Sequence, residues 1–344
     1  MSTSQKKLPI FLDNFEKKSK RIYASNNTDG YWSNLSKTQN AELMSILGTR
    51  TTRECIEKTN PLFKEIIFSE KRVAGLELLQ LKGDETAVDL GCMWGAITIP
   101  LAKQVANVLG IDQTIESLKF SEARAEEDKL DNVNFLCGNL REIQLPKETF
   151  DVAIVNGVLE WVPENEPIVV NDYWYGAKKR SDSGNPGEMQ MAFLKNVHRG
   201  LTSGGRLMLA IENRYDYKMF FGVRDPHAGT LFTSIVPKWL ANIMSKIIRK
   251  REYRPWIYSF NELDKLLKDA GFKSVKLHAC WPDYRMPNYI NPYGEKNKHF
   301  NPTTARRDGK LKLKPLVANR IEWLLFKVFN IQFFAPSIIA IAEK

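Results

Sequence analysis

The sequence predicts an α/β fold, a doubly wound and mostly parallel seven-stranded sheet, from three observations. Apolar runs of strand length stand at 86–90, 107–111, 133–137, 151–155, 205–211, 272–280 and 333–342. Helical spacing fills 95–105, 114–129, 187–201 and 259–270 between them, and that alternation puts helices on both faces of a parallel sheet. The first run passes through a glycine-bearing turn, Gly91-Cys92-Met93-Trp94-Gly95, directly into a helix, and the second ends in the carboxylate of Asp112. A turn of that kind admits a nucleotide, and an acid at the end of the next strand suits a ribose diol.

Taken in order, residues 1–30 are polar and rich in Lys, Asn and Ser, a loosely ordered lead-in. Helical spacing over Trp32–Leu47 and Thr52–Leu62, punctuated by Asn60-Pro61, and a further helix over Phe63–Leu81 form a cap ahead of the first strand. Asp89 closes that strand, Gly91 and Gly95 let the backbone turn or approach a ligand without a Cβ, and Ile97, Ile99 and Leu101 resume burial. Ser203-Gly-Gly-Arg206 is a turn leading into the fifth strand. Two insertions follow strand ends, 163–187 and 212–254, where loops shape a second substrate's pocket, and 289–314 reads as an exposed basic loop. The chain divides into a lead-in and helical cap (1–80), the α/β core with its insertions (81–285), and a basic loop with a C-terminal helix or edge strand (286–344).

Composition narrows the class. Of 344 residues 43% are hydrophobic and 26% charged, the balance of a globular protein rather than a disordered one. Secretory-signal character is lacking in the first residues, and no apolar run reaches the roughly 18 residues of a membrane span. Cys55, Cys92, Cys137 and Cys280 are scattered without metal-binding or disulfide spacing, so free thiols and a cytoplasmic location are expected. The net charge of +10 favours acidic partners, whether nucleic acid, phosphosugar or anionic membrane.

Asp89, Gly91 and Gly95, followed by the strand-end Asp112, make residues 75–280 resemble the class I S-adenosylmethionine-dependent methyltransferases and their Rossmann-like fold. The family's first turn reads acid-x-Gly-x-Gly-x-Gly, and Met93 stands here where the middle glycine is usual. The resemblance implies S-adenosylmethionine as cofactor, with its methionine half over Asp89, Gly91, Cys92 and Gly95 and beside Asn156 and Gly157. It implies Asp112 on the ribose hydroxyls, Gln113 beside it, and Asn139 and Leu140 near the adenine, with an amide replacing the usual acid at 139. It also makes 333–342 an antiparallel strand at the sheet edge. Trp161, Trp94 and Tyr31 are aromatic candidates to face the sulfonium, or ordinary core rings.

The stretch Glu212-Asn-Arg-Tyr-Asp-Tyr-Lys-Met-Phe-Phe-Gly222, continuing to Asp225-Pro-His-Ala-Gly229, resembles a bacterial subgroup associated with cell-surface glycan assembly. Asn185–Leu194 and Trp281–Arg285 fit the same subgroup. Methyl transfer to an oxygen of a saccharide or related small acceptor is the activity this implies. Trp161, Glu212, Asn213, Arg214 and Tyr217 are the expected acceptor-binding residues. His227 is the candidate general base with Asp225 orienting it, or else it merely closes a turn between Pro226 and Gly229. Arg224 is a candidate for an acceptor phosphate or carboxylate, while His198, His278 and His299 lack neighbours suggesting a metal, and none is expected.

The segment Thr233–Arg254 mixes apolar Trp239, Ile243, Ile247 and Ile248 with Lys238, Lys246, Arg249, Lys250 and Arg251. It suits a lid packed on the sheet or a peripheral contact with an anionic inner membrane face. Two other readings of the whole chain stand beside the first. An RNA or tRNA methyltransferase agrees with the charge and the basic stretch 296–314, although no RNA-binding module or Asn-Pro-Pro-Tyr motif is present. A scaffold that has lost catalysis agrees with the departures at Met93 and Asn139.

Overall fold

A computed structural model of the chain describes residues 3–26, 35–164, 168–170, 173–175, 184–296 and 320–344. The lead-in is more ordered than its composition suggests. Helix α1 (Thr3–Leu12) buries Leu8 and Leu12 in the main core, and strands β1 (Glu16–Lys17) and β2 (Ile22–Ala24) add to the sheet by pairing Ile22–Ala24 in parallel with Phe135–Cys137. Three helices follow: α2 (Lys37–Ile46), α3 (Thr52–Thr59) and α4 (Pro61–Phe68). Ser36 with Gln39 and Thr51 with Glu54 form capping boxes that satisfy the first free N–H groups of α2 and α3. The helix expected over 63–81 stops at Phe68, because the Ser69 hydroxyl accepts from the Lys71 N–H and starts a separate 3-10 segment, Glu70–Leu79.

The α/β core then runs β3 (Thr86–Leu90), α5 (Thr98–Ala102), β4 (Asn107–Asp112), α6 (Ile115–Glu127), β5 (Val133–Cys137) and β6 (Phe150–Asn156). A short hairpin, β7 (Ile168–Val170) and β8 (Tyr173–Tyr175), lies in the first insertion, most of which falls outside the described residues. Helix α7 (Pro186–Gly200) starts where Asn185 Oδ1 accepts from the Gly187 N–H and Pro186 supplies a preset φ. Strand β9 (Leu201–Glu212), helices α8 (Tyr217–Phe220), α9 (Lys238–Arg249) and α10 (Phe260–Asp269), and strands β10 (Ser274–Trp281), β11 (Tyr289–Pro292) and β12 (Ser337–Glu343) complete the chain.

Among the described residues ten strands form one sheet in the order β1-β2-β5-β4-β3-β6-β9-β12-β10-β11. The expected seven are its centre. The N-terminal strands extend one edge and β11, read from sequence as loop, extends the other by pairing antiparallel with β10. Strand β12 is antiparallel as expected, but it lies inside the sheet between β9 and β10 rather than at its edge. All of Thr86–Leu90 is buried, as befits an interior parallel strand covered on both faces. With β4 on one side of β3 and β6 on the other, the carboxyl ends of these strands open the crevice where doubly wound sheets bind ligands.

Candidate active site

A cavity of about 270 Å³ opens at those strand ends. Asp89, Gly91, Cys92 and Met93 line it from the first turn, Asp112 and Gln113 from the end of β4, Asn139 and Leu140 from after β5, and Asn156 and Gly157 from the end of β6. Phe63, Ile66 and Ile67 of α4 close one side, so the helical cap does face the site.

The turn is shaped by what it must avoid. Gly91 has φ +81°, and a Cβ there would lie 2.4 Å from Val158 Cγ2, while a Cβ on Gly157 (φ +68°) would lie 2.3 Å from the Tyr284 hydroxyl. Met93 takes the left-handed conformation at φ 41°, so the middle position keeps the backbone path that a glycine favours. Gly95 turns the chain but does not line the cavity: its missing Cβ makes room for Ser121 and Ile99, which is a packing role. Trp94 is likewise a core ring, edge-on to Phe63 and Phe120 while touching the cavity.

Asp112 Oδ2 accepts from the Met93 N–H and Oδ1 from the Thr114 N–H, both at 2.9 Å, which fixes the carboxylate at the cavity wall. Burial pushes its carboxyl up to about 6 against the pull of those two amides. Asp89 is also pushed up to about 6 by burial, with the Thr98 hydroxyl donating to it at 2.6 Å. Asn139 Oδ1 accepts from the Arg141 N–H at 3.2 Å and its amide donates to Glu142, closing the turn with one oxygen lone pair to spare. Arg72, which sequence reasoning did not single out, reaches the same cavity from the 3-10 segment with Nε and Nη1 buried and without a hydrogen-bond partner. Together these groups fit S-adenosylmethionine: a cradle that excludes a Cβ, a carboxylate for the ribose, and an unsatisfied guanidinium for the methionine carboxylate.

The other end of the cavity is acidic. Glu160 stands in a 3-10 turn, Leu159–Trp161, and is fully buried with neither carboxylate oxygen hydrogen-bonded. Glu212, at the end of β9, leaves Oε2 without a hydrogen-bond partner. Between them stands His227, 2% exposed, with Nε2 3.4 Å from Glu212 Oε2 and 3.7 Å from Glu160 Oε1. Asp225 lies behind, its Oδ1 3.6 Å from His227 Nδ1 and accepting from the backbone N–H groups of His227 and Ala228. Asp225 Oδ2 accepts from the Tyr253 hydroxyl at 3.0 Å, so the carboxylate is fixed and does not itself line the cavity. Trp161 packs edge-on to His227 at 4.8 Å and lines the cavity beside it.

These charges change the expectation for His227. Burial pulls its pKa down, but Glu212, Asp225 and Glu160 outweigh burial and hold it well above the usual imidazole range, so it is no neutral base poised near pH 7. Burial pushes Glu160 up to about 7, and the nearby His227 limits the rise. Glu160 is the residue sequence reasoning missed here. Its one signal was a lone acid inside the apolar run Val158–Val162.

Three expected acceptor residues turn elsewhere. Asn213 is buried and donates to the carbonyls of Phe333 and Ala335 at 2.8 Å, tying the end of β9 to the segment before β12. Arg214 donates to the carbonyls of Ser234 and Val236 and pairs with Glu262 at 2.7 Å, fixing the loop ahead of α9 to α10. The Tyr217 hydroxyl donates to Glu322 at 2.5 Å. None of the three lines the cavity, whereas Trp161 and Glu212 do. Arg224 is exposed and donates to the Gly229 carbonyl, Tyr31 and His299 lie outside the described residues, and His198 and His278 are remote from the cavity.

Residues 81–271, more than half of the chain, match the methyltransferase domain family, and the chain belongs to it, a class I S-adenosylmethionine-dependent methyltransferase domain. An uncharacterized methyltransferase of Schizosaccharomyces pombe is 26% identical over 224 residues, 60% of this chain and 83% of that protein. A 23S rRNA (uracil(1939)-C(5))-methyltransferase of Aliivibrio salmonicida is 39% identical over 67 residues, 20% of this chain and 15% of that protein. The match to it and to an uncharacterized RNA methyltransferase of Clostridium tetani spans only 15% and 18% of their lengths. Phosphoethanolamine N-methyltransferase 2 of Haemonchus contortus, solved with S-adenosyl-L-methionine, has a TM-score of 0.46 at 13% identity, covering 86% of this chain and 60% of that one.

Proposed function

We propose that the protein transfers the methyl group of S-adenosylmethionine to an oxygen of a saccharide or related polyhydroxyl acceptor. The observation that carries the reading is the unpartnered Oε2 of Glu212 beside His227, both lining the same cavity as Asp112 and Gly91, with the unpartnered carboxylate of Glu160 buried behind them. Bound there, S-adenosylmethionine supplies an electrophilic methyl: the carbon–sulfur bond breaks, a carbon–oxygen bond forms, and the acceptor's proton leaves to the protein. Asp112 and Arg72 fix the two ends of the donor. Glu212, which lines the cavity, accepts a hydrogen bond from an acceptor hydroxyl and aims one oxygen at the methyl carbon, with Glu160 buried behind His227; this is worth more to the reaction than acid catalysis because the reactive atoms must align. The cluster then receives the released proton, with Asp225 keeping His227 in place.

Acidic groups in the lining oppose an RNA substrate, whose phosphates would meet Glu164 and Glu212. Two of the RNA methyltransferases similar to this chain match it over 86 and 67 residues, and a tRNA (guanine-N(7)-)-methyltransferase of Rubrobacter xylanophilus, 27% identical over 158 residues, keeps RNA among the acceptors to test. The test is transfer of labelled methyl from S-adenosylmethionine to a panel of saccharides, sugar phosphates and RNA. Label in a saccharide as a base-stable ether supports the reading, and label in RNA alone overturns it.

The acceptor's setting follows from α9. Its small residues, Ala241 and Ser245, are buried, and Ala241 packs with Ala228 and Tyr253 behind the His227 turn. None of 233–254 lines the cavity, and the broad apolar face points outward with Trp239 67% and Ile247 66% exposed. Lys238 is drawn inward over the rings of Trp256 and Tyr258, at 4.3 and 4.1 Å, while Lys246 and Lys250 stay exposed on the helix end. We propose peripheral contact of this face with an anionic bilayer, where a lipid-linked saccharide is met. Among the described residues no helix is long and apolar enough to cross a membrane. The protein is expected to sediment with vesicles containing phosphatidylglycerol, and the double variant Trp239→Asp, Ile247→Asp is expected to lose at least about tenfold in that affinity. Equal sedimentation of the two proteins removes the proposal.

A further inference from the structure

We infer that Glu160, Glu212 and His227 form a site for a divalent cation of the Mn²⁺ class at the acceptor end of the cavity. One ligand atom from each lies within 4.8 Å of the others. The separations of 3.4 Å from His227 Nε2 to Glu212 Oε2 and 3.7 Å to Glu160 Oε1 are long for hydrogen bonds. They are close to what an ion sets: ligand atoms about 2.1 Å from one centre stand about 3.0 to 3.4 Å apart in octahedral or tetrahedral arrangement. An independent observation points the same way. Glu160 is wholly buried with a carboxylate oxygen turned to His227, which lines the cavity, yet neither of its oxygens has a hydrogen-bond partner.

The surroundings are those of a metal-bound histidine. Asp225 Oδ1 lies 3.6 Å from Nδ1 on the far side of the ring, and Asp225 is itself held by two backbone N–H groups and the Tyr253 hydroxyl. Asp225 stands on the Nδ1 side of the ring, and Nε2 is the nitrogen turned to the two glutamates. Two carboxylates and one imidazole suit a first-row ion of oxygen and nitrogen preference, and no thiol is among the donors. Three protein ligands leave positions that face the cavity, where two neighbouring hydroxyls of a saccharide fit. That use of the ion rests on the acceptor proposed above, whereas the ion's binding does not. In sequence the three ligands are far apart and follow no metal spacing, so the absence of a metal was the natural expectation from the sequence alone.

The experiment is a Mn²⁺ titration of the full chain after chelator treatment, followed by calorimetry and by the electron paramagnetic resonance signal of free Mn²⁺. One ion per chain is expected. Glu160→Gln and His227→Gln are expected to bind it at least about tenfold more weakly, and Asp225→Asn about tenfold more weakly, the usual effect of removing an outer partner. S-adenosylhomocysteine binding serves in every variant as the control for folding. Failure of the wild type to bind Mn²⁺ at millimolar ion, or equal binding by a folded Glu160→Gln, overturns the site. Saccharide methylation that is indifferent to chelation, with no Mn²⁺ bound, removes the ion and leaves the proposed function standing. Stoichiometric Mn²⁺ binding without any saccharide methylated does the reverse.

Discussion

His227→Ala is expected to lower methyl transfer by about 10²- to 10⁴-fold, the usual range for a group that handles the proton or its charge at the reacting atom. Cofactor affinity should stay within about twofold, because the Asp112 carboxylate is held by the Met93 and Thr114 N–H groups and not by His227. The reason for so large an effect is electrostatic. His227 stands within 3.7 Å of Glu160, Glu212 and Asp225, and its removal takes away the cation nearest to all three carboxylates, two of them fully buried, while Arg285 stays beside Glu212. The check is an initial-rate assay with labelled S-adenosylmethionine run beside calorimetry on the same preparation. Full activity in the variant would reduce His227 to a residue that closes the turn between Pro226 and Gly229.

Asp112→Ala is expected to weaken S-adenosylmethionine binding by about 10- to 100-fold, since two hydroxyls then lose a charged acceptor worth about 1.5 to 3 kcal/mol. The effect has a pH signature in the wild type. The carboxyl of Asp112 is pushed up to about 6 in the free protein, and ribose hydroxyls donate to its ionised form. Binding therefore favours loss of that proton. Affinity should be full above pH 6 and fall as pH drops through 6, approaching tenfold per unit. The Asp112→Ala variant should show a weaker dependence, since Asp89, also pushed up to about 6, still lines the cavity, and calorimetry across that range separates the two cases.

The cofactor end was legible because its signals are local. Strand, turn and helix around Gly91, and the acid closing the next strand, are set by residues within one β-α-β unit, so period and spacing reveal them. The acceptor end was harder because its geometry is tertiary. Asn213 and Arg214 have the polarity of site residues at a strand end, yet carbonyls of Phe333 and Ala335 and of Ser234 and Val236 claim them. Glu160 shows the converse: an acid in a short apolar run becomes a buried member of a charged cluster only when the turn bearing His227 folds against it. Strands β1 and β2 escaped notice because two or three residues carry no periodicity, and the pairing of β2 with β5 spans a long stretch of sequence. The choice between a lid and a membrane contact for 233–254 stayed open for a related reason. Helical spacing reveals that α9 is amphipathic but not which face the rest of the protein covers, and here the small face is the covered one.

The central claim is that one cavity holds the methyl donor against an acidic acceptor site, and calorimetric titration of the wild-type protein with S-adenosylmethionine tests it most directly. Binding at one site per chain, with S-adenosylhomocysteine displacing it, is the result expected. A folded protein that takes up neither compound would contradict the account and leave the chain a methyltransferase fold serving another purpose.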